Sequence, residues 1–105
     1  MEKHQFEFHG GRVRAPKAAP ALVGVASSGN LEVLIEPAKL NGACRIEIST
    51  AALGFGKIWE AVLRDFFERH QLSDVRISVN DVGATPAVVS LRLDQAVDEF
   101  TRPAS

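Results

Sequence analysis

The chain has one cysteine, one tryptophan and no tyrosine in 105 residues. With Cys44 alone, no intrachain disulfide is possible. No apolar run approaches the ~20 residues that a membrane-spanning helix requires. Charge of one sign is also scarce. The net charge of −1 leaves no broad basic field for nucleic acid or anionic lipid. Residues 1–9 alternate polar and apolar and contain no targeting h-region. With the lone cysteine, this gives a cytoplasmic protein as the expectation. His4, His9 and His70 do not match a metal-ligand spacing with Cys44, and no metal site is expected. Internal repeats and low-complexity tracts are absent from the sequence.

What is present is an ordinary globular composition, 46% hydrophobic and 24% charged, of a length that suits a single domain over residues 1–105. Gln5–Phe8, Leu31–Glu36, Cys44–Ser49 and Val75–Val79 alternate as half-buried strands do. Ala21–Ala26 is nearly all apolar and suits a strand covered on both faces. Lys57–His70 carries Ile58, Trp59, Val62, Leu63, Phe66 and Phe67 as two adjoining i, i+4 series, the apolar stripe of a long helix. Ala87–Leu93 alternates, with Val89, Leu91 and Leu93 on one side, and reads as a last strand. Gln95–Phe100 reads as a short closing helix. These elements predict an α+β fold. Its mostly antiparallel sheet is covered on one face by the 57–70 helix.

Two segments draw functional attention. The first is Ser27-Ser28-Gly29-Asn30, a tight-turn composition between two β-type runs. A hydroxyl on such a tip is accessible to another macromolecule. The turn lacks the Gly-x-Ser-x-Gly strand-to-helix elbow of a nucleophilic serine, since a strand follows it. Its chemistry therefore suits a backbone turn or a modified serine better than catalysis. The second is Asn80-Asp81-Val82-Gly83-Ala84-Thr85-Pro86. There Asp81 is either a general base or the side chain of an Asx turn, and Pro86 fixes the loop. Arg12, Arg14 and Lys17 form a local basic cluster in the 9–20 loop. They either face solvent or anchor a phosphate-bearing group. Cys44 and Trp59 read as packed core residues.

Taken in order, the following runs resemble the delta, or acyl-carrier, subunits of bacterial malonate decarboxylases. They are Leu22-Val23-Gly24-Val25, Ser28-Gly29-Asn30-Leu31-Glu32-Val33-Leu34-Ile35-Glu36-Pro37, and Asn80 to Val89 with Leu91-Arg92-Leu93. Phe6-Glu7-Phe8 and Trp59 fit the same pattern. The resemblance implies a non-catalytic carrier without catalytic residues of its own. It implies a covalently attached 2′-(5″-phosphoribosyl)-3′-dephospho-CoA, held by a phosphodiester. It also implies partners: an acyl transferase, a decarboxylase and a prosthetic-group transferase. The register makes Ser28 the attachment residue and Ser27 the alternative, with Gly29 and Asn30 completing the turn. The family pattern has Gly where Ser27 stands and Asp where Asn30 stands. A four-helix carrier fold is not expected. Three further readings remain: a citrate lyase acyl carrier, a small enzyme using Ser28, Asp81 and a histidine, and an unmodified interaction domain.

Overall fold

Strands form where apolar side chains alternate, because successive side chains point to opposite faces of a sheet. The computed structural model describes residues 2–14, 21–23, 31–51, 53–84 and 86–101, with backbone only at 13–14, 21–23, 86 and 101. Its elements are β1 (Glu2–Phe8), β2 (Val13–Arg14), β3 (Ala21–Val23), β4 (Leu31–Pro37), β5 (Cys44–Thr50), α1 (Gly56–His70), β6 (Leu72–Ser73), β7 (Val75–Asp81) and α2 (Pro86–Thr101). Five strands make one sheet in the order β1-β5-β7-β4-β3. Neighbouring strands are antiparallel except β5 and β7, which run parallel. The chain passes from β5 to β7 through α1, the kind of long crossover that a parallel pair needs. The β2 and β6 strands form a separate two-residue parallel pair. At Gly11, just before β2, a Cβ would collide with the Leu72 carbonyl oxygen, so only glycine allows this approach.

The α+β expectation holds, with both helices on one face of the sheet. Register aligns Ile46 with Ile77 and Ile77 with Ile35, and likewise Ile48, Val79 and Val33. All six are buried. They receive Trp59, Leu63 and Phe66 from α1. Phe67 stacks on Phe8 with ring centroids 5.1 Å apart. The helical stripe is narrower than the sequence implies. Ile58 is 45% exposed, because the buried line 59-63-66 leaves position 58 at its rim.

The C-terminal region departs from the sequence reading. Residues 87–93 are not a strand, and the closing helix is not short. One helix of 16 residues runs from Pro86 to Thr101. The Val-Val-Ser-Leu-Arg-Leu run alternates locally, but its buried positions are Val89, Leu93, Ala96, Val97 and Phe100. That is the 3.6-residue period of a helix. Leu91, which a strand would place on one side with Val89 and Leu93, is 55% exposed. Pro86 opens the helix, where its missing N–H costs no hydrogen bond. The two helices are clasped at the surface: Arg69 donates to both Asp94 oxygens at 2.8 and 2.9 Å. His70 Nε2 lies 2.8 Å from the same carboxylate. Hydrogen bonds to Asp65 and Asp94 push the Arg69 guanidinium further up.

Candidate prosthetic-group attachment site

The sheet register brings Leu31, which follows the first sequence segment, to Asp81 of the second. Leu31, which opens β4, pairs with Asp81, which ends β7. Asp81 in turn pairs with Thr50 at the end of β5, and Thr50 with Glu2 at the start of β1. Residues 24–30, with Ser27, Ser28, Gly29 and Asn30, lie outside the described residues, but their attachment points are fixed. Val23 and Leu31 belong to antiparallel neighbours, with Val23 opposite Val33. Leu31, which follows that segment, and the Asn80–Asp81 end of β7 therefore share one end of the sheet.

Asp81 is a structural anchor there. It is fully buried. Its Oδ2 accepts the Thr50 hydroxyl at 2.9 Å, and its Oδ1 accepts the Ala84 N–H at 2.7 Å. The second bond closes the turn that leads into α2, in line with the Asx alternative. The general-base alternative is disfavoured, since both oxygens are engaged and the histidines bond other carboxylates: His4 to Glu2, His9 to Glu7 and His70 to Asp94. Thr50 is the residue that sequence reasoning missed. Its signal is a polar side chain at the inward position after Ile46 and Ile48, matched by Asp81 after Ile77 and Val79. Asp81→Ala removes the acceptor of the buried Thr50 hydroxyl and of the part-buried Ala84 N–H. It is expected to cost about 2–4 kcal/mol in denaturant unfolding, while Asp81→Asn, which keeps one acceptor, costs less.

The loop after β5 closes over the same end. Gly54 N–H donates to Glu2 Oε2 at 3.2 Å, and His4 Nε2 sits 2.8 Å from Glu2 Oε1. The Gly54 bond first, then His4, holds the Glu2 carboxyl below the usual carboxylate range. This contribution is present at neutral pH and is lost as pH falls through the lowered value. Around this end Leu53 is 70% exposed, and Phe55, Ile58 and Val82 are also exposed.

The other candidates fall elsewhere. Arg12 and the β2 backbone at Arg14 sit beside β6, before the start of β7. Lys17 lies outside the described residues. Cys44 is buried, and burial pushes its thiol up to about 12. Thiol reagents are expected to leave the folded chain unlabelled at pH 8 and to label it once in denaturant, because the thiolate is the nucleophile. Among the described residues, no group of three or more His, Cys, Asp or Glu side chains is placed to hold a metal ion. No described helix is long and apolar enough to cross a membrane.

Residues 18–100 match the family model described as malonate decarboxylase delta subunit. A malonate decarboxylase acyl carrier protein of Xanthomonas campestris pv. campestris is 62% identical over 98 residues, covering 93% of each chain. One from Stenotrophomonas maltophilia is 61% identical, covering 93% of this chain and 92% of its own. Among solved structures, a chain of a Pseudomonas malonate decarboxylase hetero-tetramer in complex with malonate superposes with a TM-score of 0.80. It is 38% identical and covers 95% of this chain and 99% of its own. The match runs over nearly the whole chain in sequence and in fold. The chain belongs to the malonate decarboxylase delta subunit family, whose members are acyl carrier proteins.

Proposed function

We propose that the chain carries acetyl and malonyl thioesters on a 2′-(5″-phosphoribosyl)-3′-dephospho-CoA arm, joined through a phosphodiester to Ser28. The observation that carries this reading is family membership across nearly the whole chain, with the serine pair between two sheet strands. The donor set in residues 27–30 suits the linkage. It offers hydroxyls for a phosphodiester, and neighbours without bulk. When attached, the arm supplies a thiol that holds acyl groups for exchange and decarboxylation. The protein's own part is to hold the attachment end rigid. Thr50 and Asp81 lock β5, β7 and the α2 turn together beside it. Tethering raises the local concentration of the acyl group at each partner's active site. The exposed Leu53, Phe55, Ile58 and Val82 offer apolar contacts to partners that work at this end. The partners in this reading are the acyl transferase and decarboxylase subunits and the prosthetic-group transferase, in the cytoplasm.

Reconstitution tests the reading. The modified chain, added to the remaining malonate decarboxylase subunits, is expected to restore CO₂ release from malonate. Restoration of citrate cleavage to acetate and oxaloacetate, without malonate turnover, assigns the citrate lyase alternative instead.

A further inference from the structure

The two edges of the sheet differ. At one, β3 contributes only Ala21–Val23. At the other, β1 pairs with β5 in unbroken register from Glu2 to Phe8. The outer side of β1 has no strand partner among the described residues. Such an edge offers a row of free N–H and C=O groups to another strand, unless proline, a bulge, shortness or charge blunts it. β1 has no proline and no bulge. Its side chains alternate. His4, Phe6 and Phe8 are half-buried on the helix face, and Lys3, Gln5 and Glu7 are exposed on the open face. Phe6 and Phe8 pack on the core, so the core ends at this edge in aromatic rings.

We infer that β1 is a self-association edge, at which two copies of this chain join antiparallel about a twofold axis and their sheets become continuous. A twofold axis normal to the sheet closes the contact on itself and keeps the helices of both copies on one face. It therefore opposes only residues that share a face. Centred on Gln5, every residue of β1 finds a partner: Glu2 meets Phe8, Lys3 meets Glu7, His4 meets Phe6, and Gln5 meets its own copy. The strand is thus complementary to its own reverse. Two Lys3–Glu7 pairs form across the axis, and opposite charges directly across a strand pair attract. Among the described residues Lys3 makes no ion pair within its own chain, while Glu7 bonds Arg45 and His9. The row from Arg45 through Glu7 to the second copy's Lys3 then alternates in sign. The His4–Phe6 pairs extend the stack that these rings already form within the strand, with centroids 6.3 Å apart. Centring on His4 sets Lys3 against Gln5, and centring on Phe6 sets it against His9, so neither opposes unlike charges. Two strands, β5 and β7, separate β1 from β4, so self-pairing leaves β3 and β4 free to carry the serine segment. The self-pairing does not depend on the Ser28 reading. One strand edge is a small interface, and the dimer dissociates on dilution through the micromolar range.

The test follows the mass of the bare full-length chain by sedimentation equilibrium from low micromolar to millimolar concentration. The expected result is a reversible monomer–dimer equilibrium. Lys3→Glu sets like charges opposite each other at two places and is expected to raise the dissociation constant about tenfold. Lys57→Glu, on the exposed side of α1, leaves it unchanged. Cysteine cross-linking reads the register. Gln5→Cys places two thiols on the axis with Cα atoms ~5 Å apart, within disulfide reach, and oxidation yields a covalent dimer. Lys3→Cys places them ~14 Å apart along the strands and yields none. Cys44 does not interfere, being closed in the folded chain. A chain that stays monomeric throughout overturns the inference. So does a dimer that Lys3→Glu leaves intact and Gln5→Cys does not cross-link. A monomer whose β1 amide NMR shifts move only when the other malonate decarboxylase subunits are added gives the edge to a partner strand, and also overturns it. The cysteine variants keep the test decisive if Lys3→Glu fails to fold.

Discussion

Ser28→Ala is expected to abolish malonate-dependent CO₂ release by the reconstituted complex while leaving the chain folded and able to join it. Effective concentration sets the size of the loss. A short tether presents its cargo at roughly millimolar levels, so losing it lowers turnover with micromolar free thioester by about 10²–10³-fold or more. The substitution removes one oxygen from a segment between two strands, and stability changes within ~0.5 kcal/mol. Ser27→Ala is the matched control and retains turnover. The measurement is CO₂ release alongside unfolding curves of both variants. Full turnover by Ser28→Ala with loss by Ser27→Ala moves the attachment by one residue. Full turnover by both variants removes the carrier mechanism.

Trp59→Ala is expected to cause the largest loss of stability. Trp59 is fully buried in the centre of the helix–sheet core with Leu63 and Phe66. Large aromatic-to-alanine changes in such places cost about 3–5 kcal/mol, through lost transfer energy and the cavity left behind. A domain of this size has only ~5–15 kcal/mol in total. The melting temperature is therefore expected to fall by roughly 10–30 °C. Trp59→Phe costs far less, because it keeps an aromatic filling. It also removes a buried indole N–H that has no hydrogen-bond partner among the described residues. Leu53→Ala, at a position 70% exposed, leaves the melting temperature nearly unchanged. Calorimetry of the three variants checks the order. Equal effects from Trp59→Ala and Leu53→Ala contradict the placement of the core.

Strand periodicity made most of the sheet legible in the sequence. Leu31–Glu36, Cys44–Ser49 and Val75–Val79 each extend by one or two residues in the structure, because their ends pair with neighbours rather than fray. The α1 helix was legible for the same reason, over more than three turns. The failure at Ala87–Leu93 has a simple cause. Six residues of Val, Ser, Leu and Arg satisfy a two-residue period, and only Ala96, Val97 and Phe100 reveal the longer one. Order within the sheet was not legible. Nothing local states that β7 enters between β5 and β4, which are consecutive in sequence. That insertion is what sets Leu31, the residue after the serine segment, beside Asp81. The site was legible only as two separate turns. Thr50, its link to Asp81, carries no motif. Its polarity makes sense only once the parallel β5–β7 register is known.

The account is tested most directly by intact and peptide mass spectrometry of the chain isolated from its native host during growth on malonate. It predicts a dephospho-CoA-derived adduct on the peptide containing residues 27–30, with fragmentation placing it on Ser28. A bare peptide from such cells contradicts the carrier mechanism and leaves an unmodified interaction domain as the reading.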